Sequence, residues 1–172
     1  MLATRGVYYK VFITHLRTKP QSLPVSMSLA LQYAEQAARA GEVPVGAVLV
    51  AADSGAVIAA AHNLTITLPD PTAHAEMLVL REGARRVGAA RLVDCVLYVT
   101  LEPCPMCAQA ISFARLRRVV FGAYDPKGGA VEHGPRLYQQ PTCHHQPEVV
   151  GGVMAQEAGA LLQRFFQERR VK

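Results

Sequence analysis

Apolar residues fall along this chain in two patterns, a helical stripe and short β-rich runs, and the changes between them mark its elements. In residues 28–40, SLALQYAEQAARA, apolar positions 29, 30, 33, 34 and 37 form one helical stripe, with Ser26 or Ser28 as candidate cap and Gly41 as the residue that ends it. VPVGAVLVA and GAVIAAAH follow as β-rich runs separated by Asp53-Ser54-Gly55, the pattern of a strand hairpin with a tight turn. Residues 63–72 read as a loop ending in Asp70-Pro71-Thr72. A proline in the first turn and a threonine cap predict a helix over about 73–87.

The second half repeats the alternation. VDCVLYVTL, residues 93–101, is a strand stopped by Pro103 and Pro105, and a helix over 105–115 follows. RRVVFGA is a short strand, and 123–145 a long Gly- and Pro-rich loop with room for one short helix. PEVVGG is a last strand and 153–169 a final helix. Strands alternating with helices predict an α/β layer fold with a mixed sheet covered on both faces.

Composition narrows the class. With 172 residues and 51% hydrophobic content, the chain is long enough for one domain with a substantial core. No apolar run approaches the ~18 residues a membrane span requires. The formal charge of +5 suggests nucleic acid at first sight. Four of the 18 basic residues and none of the 13 acidic ones fall within residues 1–26 (Arg5, Lys10, Arg17 and Lys19), which leaves 14 against 13 in the remainder. A nucleic-acid face must therefore come from local clusters. Residues 1–26 read as an extension outside the fold, ahead of a start at Met27, with a transit peptide as the alternative. Residues 27–172 read as the folded domain.

Four cysteines are too few for a secreted disulfide scaffold, and two are spaced as CPMC, which points to metal or redox chemistry in a reducing compartment. Cys104 and Cys107 follow a strand and open a helix, where the free N–H groups and the helix dipole favour thiolates. His74 also opens a helix. One histidine and two cysteines make three zinc ligands, and three protein ligands leave a fourth position for water, the arrangement of a catalytic site. Glu76 would then stand beside that water as acid and base. Positions i and i+2 face nearly opposite ways on a regular helix. The pair therefore works only in a first turn, with the helix end facing the metal.

H-x-E alone and C-x-x-C alone are weak signals, the first common on solvated faces and the second shared with redox pairs. Together, with His74 and Cys104 30 positions apart and a proline before the cysteine, they form the zinc-deaminase pattern. On GEVPVGAVLV, DPTAHAE, LYVTLEPCPMC and RVVFGAYDPKGGA, in that order, residues 27 to about 170 resemble the bacterial tRNA-specific adenosine deaminases of the cytidine-deaminase-like zinc superfamily. The resemblance implies a three-layer α/β/α sandwich with a five-stranded mixed sheet, one Zn2+ per subunit, a homodimer and a cytoplasmic enzyme. It implies zinc on His74, Cys104 and Cys107, proton transfer by Glu76, nucleobase contact by Asn63, a place near the ribose for Glu102, and a base pocket lined by Pro44 and Val45. The implied reaction is hydrolytic deamination of adenosine to inosine at the wobble position of a tRNA anticodon stem-loop. The alternatives are a free base or nucleoside, guanine or cytosine, on the same fold, or a zinc-stabilised RNA-binding subunit without catalysis. Leu64 and the stretch VEHGPRLYQQPTCHHQPE depart from the family pattern.

The remaining candidates have plainer readings. Cys95 reads as a small core residue, and Cys143-His144-His145 as a loop with too few ligands for a second metal. Arg115, Arg117 and Arg118 read as a solvated cluster. Arg164, Arg169, Arg170 and Lys172 on the last helix are, by resemblance, as suited to RNA phosphates as to solvent. Phe165 or Phe166 is expected in the core.

Overall fold

The structure, a computed structural model, describes residues 23–170. The expectations for residues 1–22 and for Lys172 lie outside the described residues.

Helix α1 (Leu23–Arg39) is followed by the hairpin β1 (Gly46–Ala51) and β2 (Val57–His62), then α2 (Ala75–Val87), β3 (Cys95–Leu101), α3 (Pro105–Ala114) and β4 (Arg118–Ala123). A 3-10 turn, Leu137–Gln139, then leads to β5 (Glu148–Val150) and α4 (Ala155–Arg170). The five strands form one sheet in the order β2-β1-β3-β4-β5. β1 pairs antiparallel with β2 and β3, whereas β3, β4 and β5 run parallel. The sheet is thus mixed, as expected.

Period-two alternation sends the two sets of strand side chains into two separate cores. Ala47, Leu49, Leu97, Val99, Val119 and Phe121 meet Val79 of α2 and Ile111 of α3 on one face. Val48, Val50, Val96, Tyr98 and Val120 meet Met27 and Ala30 of α1 on the other, with Met154 just ahead of α4 packed alongside. Both faces are covered, which gives the α/β/α sandwich. α1 lies so close to the sheet that a Cβ on Gly46 would stand 2.0 Å from the carbonyl oxygen of Ala30. Only glycine fits at that crossing.

Two helix starts differ from expectation. Neither Ser26 nor Ser28 caps α1, because the helix begins at Leu23 and both serines lie inside it. Residues 23–26 of the expected extension therefore belong to the first helix. Its buried face is Met27, Ala30, Ala34 and Ala37, while Leu29 and Tyr33 flank it. Thr72 does not cap α2, and Pro71 lies outside its first turn. The helix starts at Ala75, with His74 as its extended N-cap residue. Thr72 is engaged elsewhere, its N–H and hydroxyl both directed to Asp70 Oδ1, at 2.8 and 2.7 Å. At the other end of α1 the expectation holds. Gly41 has φ of 82° and the N–H groups of Gly41 and Glu42 close on the carbonyls of Ala38 and Ala37.

Candidate active site

The parallel strand β3 delivers the chain to the same edge of the sheet at which α2 begins. Cys104 is the N-cap residue of α3, with Pro105 in the first turn, and His74 is the N-cap residue of α2. Two helix ends therefore converge, and His74 Nδ1 stands 3.7 Å from Cys104 Sγ and 3.6 Å from Cys107 Sγ. A tetrahedral zinc with metal–nitrogen bonds of about 2.0 Å and metal–sulfur bonds of about 2.3 Å would separate nitrogen from sulfur by ~3.5 Å. The three ligand atoms fit that ion. No other group of His, Cys, Asp or Glu among the described residues gathers in this way.

The ligand electrostatics suit a cation. The hydrogen bond from Cys107, helped by one from His74, holds the Cys104 thiol down to about 4, against the opposing effect of burial. That same bond to Cys104, together with burial, pushes Cys107 well up. Zinc binds cysteine as thiolate, so metal binding at the pair is coupled to proton release. His74 is raised by its hydrogen bond to Cys104, against burial.

Glu76 sits in the first turn of α2 and is 4% exposed. Burial lifts its carboxyl to about 7, while its own backbone N–H and the nearby His74 pull the other way. Its carboxyl also hydrogen-bonds Cys107. The helix end thus faces the ligands, as the H-x-E spacing requires. A carboxyl poised near neutrality beside a metal site can both take and return a proton.

Asn63 is 6% exposed, and its Oδ1 accepts the N–H of Ala75 at 3.0 Å. It therefore caps α2 from a distance, the role expected of Thr72, and its side-chain amide nitrogen has no hydrogen-bond partner among the described residues. Pro44 and Val45 are buried just ahead of β1, and Val45 O accepts the N–H of Asn63 at 3.0 Å. Glu102, expected near the ribose, holds a loop. Its side chain is fully buried and its oxygens are occupied by the backbone of residues 125–133.

Sequence reasoning missed two residues. Glu42 is fully buried and its carboxylate accepts the N–H groups of Ile66 and Thr67, which fixes the loop after Asn63. Tyr138 is buried against α3, its hydroxyl donating to Ala108 O at 3.2 Å. Nothing in the local sequence marks either one.

The plainer candidates resolve individually. Cys95 is buried in the core. Cys143 bonds near Ser112 and His145 while His145 Nε2 reaches Leu116 O at 2.7 Å, so that loop is a packing device. Arg118 pairs with Glu148 at 2.7 Å, and Arg115 ends α3 in a left-handed conformation. Phe165 is buried, and Phe166 is exposed instead. Arg169 stacks over the Phe165 ring at 3.7 Å and donates to Gly41 O, whereas Arg164 and Arg170 remain exposed.

A mixed sheet bearing a His/Cys/Cys group at converging helix starts, with a buried carboxyl beside it, defines a zinc-dependent deaminase site. The chain belongs to the cytidine and deoxycytidylate deaminase family, whose zinc-binding region matches residues 21–123. Its relatives within that family include the tRNA-specific adenosine deaminase of Agrobacterium fabrum, 54% identical over 145 residues that cover 84% of this chain and 94% of the relative. That of Bacillus subtilis is 50% identical over 146 residues, covering 85% and 89%. Among solved structures, one from a study of A-to-I editing by tRNA:A34 deaminases at the wobble position matches with a TM-score of 0.78 at 54% identity, covering 80% of this chain and 99% of that one. A guanine deaminase from Bacillus subtilis matches with a TM-score of 0.59 at 31% identity, covering 88% and 96%.

Proposed function

We propose that this protein is a zinc-dependent hydrolase that converts adenosine to inosine at the wobble position of a tRNA anticodon. The observation that carries the chemistry is the buried Glu76 carboxyl at the helix end that also presents His74. The substrate rests on the relatives, which match along nearly their whole length under that name. Zinc, when held by His74, Cys104 and Cys107, supplies a Lewis acid that makes a water nucleophilic near neutral pH. Glu76 takes a proton from the attacking water on a carboxylate oxygen and delivers it to N1 of the adenine as C6 gains its oxygen; it then takes the proton of the new C6 hydroxyl and passes it to the departing amine. Ammonia leaves and C6 becomes a carbonyl. Asn63 turns its unpartnered amide nitrogen to the base, between Pro44 and Val45. A base in a hairpin loop is unpaired, so drawing it into such a site costs little.

The enzyme carries one zinc per subunit, since the described residues hold a single ligand group. A cytoplasmic setting fits its four free thiols. It pairs as a homodimer, for which Phe113 on α3, 72% exposed, offers an apolar contact. Residues 27–172, together with the first turn of α1, form the catalytic domain. No helix among the described residues is long and apolar enough to cross a membrane.

The deciding experiment is an inosine assay on an anticodon stem-loop with adenosine at the wobble position, run beside free adenosine, guanine and cytosine. Conversion of the stem-loop alone is expected. Conversion of guanine with the stem-loop untouched would overturn the substrate and keep the chemistry, an outcome the likeness to a guanine deaminase makes worth the parallel arm.

A further inference from the structure

Glu102 lies two residues before the ligand Cys104, and its carboxylate is fully buried. A buried carboxylate must be answered by donors, and here one loop supplies them all. Oε1 accepts the N–H groups of Val131, Glu132 and His133 at 3.1, 2.8 and 2.9 Å. Oε2 accepts the N–H of Asp125 at 3.0 Å and hydrogen-bonds His133 Nδ1 at 2.7 Å. The backbone repeats the tie. Glu102 N–H donates to Ala123 O, and Ala130 N–H donates to Pro103 O, both at 2.9 Å. Gly129 passes so close that a Cβ there would stand 2.5 Å from Glu102 Cδ. Residues 124–133 are therefore folded around one carboxylate, directly beside the segment that carries Cys104.

That loop presents side chains suited to a nucleotide. Tyr124 is exposed, yet its ring is held edge-on by Phe121 at 5.2 Å and by His133 at 5.9 Å. Lys127 is exposed on the same loop. An aromatic ring fixed in place and a nearby cation are the elements that receive stacked bases and phosphates.

We propose that Glu102 is a positioning residue: it shapes loop 124–133 into a rigid surface that receives the RNA flanking the reactive base, and does not itself touch substrate. This inference rests on the RNA reading above. Glu102→Gln keeps one acceptor oxygen but sets an NH2 group against donors of the loop. The expected result is a KM for the stem-loop raised roughly tenfold, the effect of losing one charge-assisted hydrogen bond, with kcat changed much less and zinc content unchanged. Hydrogen exchange should quicken at the amides of Asp125 and 131–133 and stay slow in β3. His133→Ala removes a single tie, should move KM in the same direction by less, and carries the test if Glu102→Gln fails to fold.

A fall in kcat with KM and exchange unchanged would overturn the proposal, because Glu102 would then act on the chemistry. Loss of zinc would also overturn it, placing the effect at Cys104. If the unaltered protein leaves the stem-loop untouched, the RNA reading fails. The exchange data still decide the clamp, which unchanged loop amides would refute.

Discussion

At the scale of single residues, the site separates groups that do chemistry from groups that hold them in place. Glu76 is the residue we propose for the first kind. Its exchange for glutamine should lower kcat by at least about 10²–10⁴-fold, the range of a general acid–base group, with zinc per chain unchanged by metal analysis. A protein that loses its zinc instead would make Glu76 a structural residue. Asn63 holds the Ala75 N–H with Oδ1, and its amide nitrogen is the donor we propose for the base. Asn63→Asp retains the acceptor and removes the donor. Its melting temperature should stay within a few degrees of the parent while KM rises, whereas Asn63→Ala should lower both stability and affinity.

At the scale of elements, the site depends on how tightly helices lie on the sheet. Gly46 is where α1 crosses β1, and the Ala30 carbonyl leaves no room for a side chain. Gly46→Ala should destabilise the fold by about 1–3 kcal/mol or more, as overpacking does, read as a lowered midpoint in urea unfolding. α2 shows how an element can start without its expected cap. The Asp-Pro-Thr signal is real, but Asp70 uses up Thr72 in a local turn, so the free N–H of Ala75 is met by Asn63, 12 positions away. The start of α2 slides by two residues, and His74 becomes the N-cap residue, from which its imidazole reaches the cysteines.

At the scale of the whole molecule, two buried carboxylates tie down loops, Glu42 at Ile66 and Thr67 and Glu102 at residues 125–133. Burial pushes both Glu42 and Glu102 upward. The hydrogen bonds to Thr67, Ile66 and Thr65 outweigh this for Glu42, and those to Asp125, His133 and Glu132 do so for Glu102, so both end below the usual carboxylate range. A group held lower in the folded state stabilises it fully above the unfolded pKa of about 4.3 and loses that contribution as pH falls through the folded value. Unfolding midpoints should therefore be level for these two groups above about pH 5 and drop below it, and Glu42→Gln should flatten part of that drop. Chelation should abolish turnover, lower the melting temperature and be reversed by added zinc, since ligands that converge in the folded state couple metal binding to stability.

What the sequence determined by itself is whatever short-range order encodes. Continuous apolar runs place β1, β3 and β4 and fill both cores. Pro105 after Cys104 opens α3, and the spacing of His74, Glu76, Cys104 and Cys107 carries the zinc-deaminase pattern. These signals are legible because each depends on residue type at a fixed local offset. Only the tertiary structure decided that Asn63 caps α2, that Glu42 holds the loop at Ile66 and Thr67, and that Glu102 holds the loop of residues 125–133. In all three the partner is a backbone N–H, which nearly every residue possesses, supplied from 12 to 31 positions away. A donor common to almost every residue leaves no trace in the sequence, and chain folding alone chooses which one arrives.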